Sequence, residues 1–271
     1  MSRAFYVRTR EGEDGQRGGI QPGRSRLQTL VMLSETIHCD VAGNKVLLSA
    51  VPHLFRPTLT TTLLTEHLQR ADIENRTVLD LGCGIGPIAI GLAMAGAAHV
   101  YATDIMPQAC EVAAANARLN HVADRISVLS GNLFEPVRGL TFDLIVDDVS
   151  GVAEDVARLS SWFPPGVPSG GEDGTRHTVE IVRQAREYLK PQGCLLFPVL
   201  SLSRRSRILE VAREVYGDRL TLVTSKRIPF NPKLKDNIRR LEELRSAGLI
   251  EFEQIRSRPF WTLEIYRADA I

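Results

Sequence analysis

Two stretches of this chain combine residue types and spacing able to do chemistry. The first is Val78-Leu79-Asp80-Leu81-Gly82-Cys83-Gly84-Ile85-Gly86-Pro87, an apolar run that ends in three glycines. Glycine accepts positive φ and leaves no Cβ between the backbone and a ligand. A glycine turn between a strand and a helix therefore offers backbone N–H groups to a nucleoside at the carboxyl end of the sheet. The spacing is G-x-G-x-G-P. It is neither the G-x-G-x-x-G of dinucleotide sites nor the G-x-x-x-x-G-K-[ST] of phosphate loops. Asp80, just ahead of the glycines, would repel a pyrophosphate and suits a ligand carrying an ammonium and a sulfonium. Asp104 ends the next strand, where it can accept both ribose hydroxyls. It can also cap the helix that starts near Pro107, and the two roles are compatible.

The second stretch is Asp147-Asp148-Val149-Ser150-Gly151, after the apolar run Phe142–Val146. Carboxylates at such a strand end line the ligand crevice. Asp148 is placed to accept a hydrogen bond from an amine or hydroxyl, or to act as a general base. Asp147 can add negative charge for a cationic acceptor. The plainer reading of both is a cap for a helix near Glu154–Leu159. Ser150, Trp162, Phe163 and His177 are candidate substrate contacts. Trp162 and Phe163 lie on a long loop that reaches Gly174, and they fit either an aromatic wall or simple packing of that loop. A lone histidine such as His177 is more often structural than functional.

These residues need a scaffold, and the pattern predicts an α/β one. Apolar strands are expected at Thr77–Leu81, His99–Asp104, Ile126–Leu129, Phe142–Val146, Cys194–Val199, Leu220–Thr224 and Phe260–Tyr266. Helices are expected at Gly84–Ala95, Pro107–Leu119, Thr175–Leu189 and Arg204–Tyr216, with one more at about Leu234–Ala247. Strand–helix alternation with apolar strands implies a doubly wound, seven-stranded, mostly parallel sheet. Residues 1–54 read as a small N-terminal appendage, with a strand at Ala4–Thr9, an apolar run at Leu27–Leu33 and a strand at Lys45–Val51. Residues 55–271 read as the main domain, entered by a helix at Thr58–Leu68.

The 271 residues are 44% hydrophobic and 24% charged, with a net charge of +1, which is ordinary for a globular domain with its own core. That total gives no bulk signal for nucleic acid. The basic clusters Arg204/Arg205/Arg207, Lys226/Arg227 and Arg239/Arg240 read as solvated faces. Four scattered cysteines (Cys39, Cys83, Cys110, Cys194) form no C-x-x-C pair and imply reduced thiols and no metal site. No stretch has the length of a membrane span, and Met1–Gly19 lacks the apolar core of a signal peptide. A cytoplasmic setting without a membrane partner is the expectation.

Taken together, Val78–Pro87 and Asp104 resemble the class I S-adenosylmethionine-dependent methyltransferases. The resemblance covers roughly residues 55–266. It implies a Rossmann-like fold, S-adenosyl-L-methionine as cofactor and methyl transfer as the activity. It also implies that Asp80, Gly82, Gly84 and Gly86 hold the methionine end and Asp104 the ribose. Asn132, in Gly131-Asn132-Leu133-Phe134-Glu135-Pro136, then caps the adenine. Phe55, Thr61, Cys83, Ile105, Leu133 and Asp147 complete the implied cofactor site.

Phe55-Arg56-Pro57 with Thr61 and Thr62, Asn132–Pro136, Phe142–Val146 and Gly171-Glu172-Asp173-Gly174 resemble one branch, the HemK/PrmC-like enzymes that methylate amide and amine nitrogens. That branch ends its fourth strand in Asn-Pro-Pro-Tyr, which grips a planar nitrogen. Here Asp148-Val149-Ser150-Gly151 stands in its place. With the amide clamp replaced and the charge near neutral, the leading expectation is a small-molecule acceptor, nitrogen first, with Asp148 as the catalytic residue. A protein- or RNA-directed enzyme is the alternative, and a relative that binds the cofactor without transferring methyl is a third reading.

Overall fold

A computed structural model describes residues 35–68 and 70–270. The expected strand at Ala4–Thr9 and the apolar run Leu27–Leu33 lie outside the described residues. The chain begins with a hairpin of β1 (Glu35–Val41) and β2 (Asn44–Ala50). Its two-residue turn has Ala42 at φ 48° and Gly43 at φ 77°, the doubly left-handed geometry that matches strand twist. Then follow α1 (Leu59–Thr65), α2 (Arg70–Ile73), β3 (Thr77–Leu81), α3 (Pro87–Met94), β4 (His99–Asp104), α4 (Pro107–Leu119), β5 (Ile126–Ser130) and β6 (Phe142–Asp147). The second half runs α5 (Glu154–Leu159), α6 (Arg176–Tyr188), β7 (Leu189–Leu200), α7 (Arg205–Tyr216), β8 (Leu220–Pro229), α8 (Pro232–Asp236), α9 (Ile238–Ser246), β9 (Glu253–Ile255) and β10 (Arg258–Asp269).

The main sheet has the order β5-β4-β3-β6-β7-β10-β8, with β9 pairing β10. Strands β5 through β7 are parallel, and β10 runs antiparallel to both β7 and β8. The seven expected strands form the path, and β9 makes the eighth. Alternation along each strand feeds two cores, one per face. On β3, Val78 joins the core that contains Ile88, Ala89 and Leu92 of α3, whereas Leu79 and Leu81 join the one with Ile181 and Val182 of α6. Among the described residues no helix is long and apolar enough to cross a membrane.

Several boundaries differ from the sequence reading, each for a local reason. The helix expected from Gly84 starts only at Pro87, because Gly86 sits at φ 92° as its N-cap. The helix expected over Leu234–Ala247 divides at Asn237 (φ −106°, ψ 20°), and its first piece is capped by Asn231, whose Oδ1 accepts from Leu234 N at 2.8 Å. Strand β7 begins five residues early. Gln192, at φ 65°, absorbs a register shift that lets Leu189 pair with Phe142 and Cys194 with Leu144. Lys190 then reaches Asp143 Oδ2 at 2.8 Å. β8 and β10 are longer than expected because each supplies the other's ladder.

The β1–β2 hairpin joins the main core. Ile37, Val41, Val46 and Leu48 are buried in the same cluster as α3 and α4. Asn116 of α4 and Asn120, which caps its C-terminus, grip the hairpin's free edge: Asn116 Oδ1 accepts from Ser49 N (2.8 Å), and Asn120 Oδ1 accepts from Leu47 N (3.0 Å). Asn116 Nδ2 also donates to Ile85 O at 2.9 Å, tying hairpin and glycine loop to one buried amide. At Gly91 of α3 the hairpin approaches so closely that an added Cβ would run into the side chain of Val41. Gly91→Ala is expected to lower unfolding free energy by ~1–3 kcal/mol through overpacking. In urea denaturation, Gly91→Ala with Val41→Ala should lose less than the sum of the single variants. Strict additivity would mean the hairpin is not seated there.

Candidate active site

The parallel strands aim their carboxyl ends at one cavity of about 790 Å³, a size suited to a cofactor and part of a second ligand. The glycine loop is laid across the end of β4: Gly82 N and Cys83 N donate to Thr103 O at 2.9 and 3.0 Å. Gly82 and Gly84 have φ of 72° and 53°. A Cβ on Gly82 would strike Val149 Cγ2 at 2.7 Å. One on Gly84 would meet nothing within 4 Å, and Gly84 lines the cavity. Gly84 is thus the open cradle, and Gly82 is required by packing against the segment after β6.

Asp104 fixes this loop. Its Oδ2 accepts from Gly84 N at 2.9 Å and its Oδ1 from Met106 N at 2.8 Å. Each oxygen keeps a second lone pair for a ligand. Asp80 is fully buried under the loop, with Oδ2 accepting from Ala89 N of α3 at 3.0 Å and Oδ1 without a partner. Asp147 is likewise fully buried. Its Oδ1 accepts from Val149 N at 2.9 Å, and its Oδ2 has no partner.

Asp148 is half-buried in the cavity wall. Its N–H donates to Leu81 O at 3.1 Å, and Thr61 Oγ1 donates to its Oδ2 at 2.7 Å. Thr61 is held in turn by the N-terminal turn of α1, where its hydroxyl accepts from Thr58 N at 3.1 Å. The Thr58–Thr61 capping box therefore orients a carboxylate 87 residues away in sequence.

Of the residues picked from sequence, Phe55, Thr61, Gly82, Cys83, Gly84, Asp104, Ile105, Asn132, Leu133, Asp148, Ser150, Trp162, Phe163 and His177 all line this cavity. Asp80, Gly86 and Asp147 do not; they lie behind it. His177 Nε2 is tied to Ser169 O at 3.0 Å, and burial pushes its pKa down. It anchors the loop as a neutral ring. Phe55 and Phe163 meet edge to face at 4.9 Å, so the aromatic loop both packs and forms the cavity wall.

Sequence reading missed Pro198, Ile228, Pro229, Leu234 and Trp261, which line the far side. The signal for Trp261 was the antiparallel run of β10, which brings the strand's beginning, not its end, to the carboxyl edge.

Burial and crowding dominate the electrostatics. Burial raises Asp147 to about 8, and Asp148 adds to that. Burial raises Asp148 to about 7, although the Thr61 hydroxyl pulls it down. Asp80 is raised by burial and then by Asp148, Asp104 and Asp147. A cationic ligand relieves this crowding and an anionic one aggravates it. The open cradle at Gly84, the spare lone pairs of Asp104 and the unpartnered oxygens of Asp80 and Asp147 fit a nucleoside that carries positive charge.

The comparisons agree with that chemistry. Residues 58–168 match the family model of the ribosomal protein L11 methyltransferase (PrmA). A Methanocaldococcus jannaschii protein, provisionally named a protein N5-glutamine methyltransferase, is 28% identical over 202 residues, covering 74% of this chain and 98% of that protein. The release factor glutamine methyltransferase of Moorella thermoacetica is 33% identical over 60% of each chain. A T. thermophilus 16S rRNA N2 methyltransferase solved with AdoMet and guanosine shares the fold, with a TM-score of 0.56 at 16% identity over 88% of this chain and 51% of its own. The chain thus spans nearly all of the first relative, about three-fifths of the second and about half of the third.

The raised carboxyls carry a sign. In the folded chain Asp147 keeps its proton to about pH 8, whereas unfolded it releases it near 3.8. Its contribution to stability is full below that lower value and is lost as pH rises towards 8. Asp147→Asn should therefore flatten the fall in stability between pH 5 and 8, read from denaturant midpoints of the ligand-free protein. An unchanged slope would show that Asp147 does not carry the raised proton.

Proposed function

Given that the chain is a class I S-adenosylmethionine-dependent methyltransferase, we propose that it methylates a nitrogen of a macromolecular acceptor, with Asp148 receiving the proton. The observation that carries this reading is Asp148 itself. It sits at the end of β6, faces the cavity, is fixed by Thr61 at 2.7 Å and titrates near neutrality at about 7. A base poised there can both orient an N–H donor and take its proton at working pH.

Bound here, S-adenosylmethionine would supply an electrophilic methyl group: the acceptor nitrogen would form the new bond to that carbon as the carbon–sulfur bond breaks towards sulfur, leaving the nitrogen a surplus proton. This chain's residues do the rest. Gly82, Cys83, Gly84, Asp104, Ile105, Asn132 and Leu133 would hold the donor on the β3–β4–β5 side. Asp80 and Asp147, from behind the loop, would favour its positive charge. Thr61 keeps Asp148 pointed at the acceptor. Proteins named for L11, for release factors and for rRNA among the relatives support a macromolecular acceptor.

A small-molecule acceptor, favoured by the sequence alone, remains the second reading. It is supported by the cavity, whose volume of about 790 Å³ leaves room beside a donor for a compact ligand.

Incubation with methyl-labelled donor separates the two. Label retained in macromolecules supports the first reading, and label confined to the dialysable fraction supports the second. Asp148→Asn should cut turnover about 10²–10⁴-fold and leave donor affinity unchanged; an unaltered rate would remove Asp148 from the reaction. The kcat/KM profile should rise through about pH 7 as Asp148 ionises. Thr61→Val should move that limb to higher pH, because its hydroxyl is what lowers the Asp148 pKa.

A further inference from the structure

The strand order divides the cavity in two. Asp148 follows β6, next to the central β3. On one side lie the glycine loop, Asp104 and Asn132, at the ends of β3, β4 and β5. On the other side the cavity continues under β7, β10 and β8 to Pro198, Trp261 and Pro229. Aromatic and apolar residues are prominent in its lining: Phe55, Trp162, Phe163 and Trp261 all line the cavity, and the buried Ser150 Oγ, two residues after Asp148, has no hydrogen-bond partner among the described residues. The loop carrying Trp162 is clasped to α8 by Lys233 Nζ, which donates to Ser160 O at 3.0 Å.

The charge around this half is uneven in a way the whole-chain total hides. Residues 226–258 hold nine lysines and arginines against five acids, on a chain whose net charge is +1. Arg227 pairs with Glu253, and Arg240 with Asp155 and Glu243. Lys226, Lys235, Arg239, Arg256 and Arg258 are exposed and make no ion pair among the described residues. Several of them lie within a few residues of the cavity lining. Trp261 pairs with Ile228 and Phe260 with Pro229, so Lys226 and Arg258 lie within three residues of cavity walls. Lys235 follows Leu234, itself a wall residue.

We propose that the acceptor is a nucleobase of an RNA, unstacked into the aromatic half, with the flanking phosphates on this basic rim. The inference rests on the methyltransferase reading above and names its substrate class. Single-stranded RNA is recognised by bases stacked on aromatic side chains, with Lys and Arg on the backbone. An exocyclic amino group or ring N–H of the base would donate to Asp148, and the transfer is the one written above, with that nitrogen as nucleophile and its proton passing to Asp148. A nucleobase offers Trp162, Phe163 and Trp261 a larger flat face than a side-chain amide of a protein does.

The test uses the full chain, methyl-labelled donor and three acceptor pools: unmodified ribosomal and transfer RNA transcripts, cellular protein, and cellular small molecules. The expected result is label in RNA, recovered after digestion as a methylated nucleoside. Rising salt should weaken RNA binding steeply, and Lys235→Glu with Arg258→Glu should make that dependence shallower and raise KM for RNA at least tenfold. Donor affinity should stay unchanged in that variant. Trp162→Ala should lower kcat/KM for RNA at least tenfold, again with donor affinity intact. Label only in protein, or only in small molecules, would overturn the RNA assignment while methyl transfer stands. Label in none of the three pools, with donor bound, would overturn both readings.

Discussion

Four carboxylates crowd the carboxyl edge of one sheet. Asp80, Asp104, Asp147 and Asp148 belong to three neighbouring strands or the residues just after them, and their burial raises the pKa of each. Isolated charges in such a setting are costly. The backbone offsets part of that cost by donating to Asp80, Asp104 and Asp147, and the same hydrogen bonds shape the glycine loop and the turn after β6. The unpartnered oxygens of Asp80 and Asp147 leave the remainder. A positively charged donor would favour the ionised forms of these carboxyls and lower their raised pKa values. The acidic cluster therefore links fold, cofactor choice and the near-neutral titration of Asp148.

The glycine loop is supported from both sides. Below it, Asp104 and Thr103 hold its amides; behind it, Asn116 binds Ile85 O and the edge of the β1–β2 hairpin together. Residues 35–54, which the sequence divided from the main domain, thus brace the helix that follows the loop. Above, α1 supplies Thr61 to Asp148. The loop, the general-base candidate and the hairpin are thus each fixed by polar contacts to a neighbouring element.

Sheet topology separates the two sides of the cavity. The parallel strands β3, β4 and β5 present glycine, Asp104 and Asn132. The antiparallel β10 and the edge strand β8 bring Trp261 and Pro229 to the same rim. Reversal of the last strand makes the start of β10 a wall of the cavity. The family match over residues 58–168 takes in the glycine loop, Asp148 and the loop of Trp162 and Phe163, and leaves out Pro198, Pro229 and Trp261 of the cavity lining.

The sequence alone determined the glycine-loop side of the cavity. Val78–Pro87 is contiguous, and its chemistry depends on positive φ at glycine and a carboxylate at a fixed offset, both local properties. Asp104 and Asn132 follow at the ends of recognisable apolar strands, and the doubly wound sheet followed from the alternation of strands and helices. Asp148 was legible as a carboxylate at a strand end, but not its partner. Only the tertiary structure joined Thr61 to it, put Asp80, Gly86 and Asp147 behind the cavity, and brought Ile228, Leu234 and Trp261 together with Trp162. Those contacts span tens of residues and depend on strand order and on the direction of β10. A local pattern carries the conformation of a turn, whereas the neighbours of a side chain across a sheet are set by how the strands are sorted.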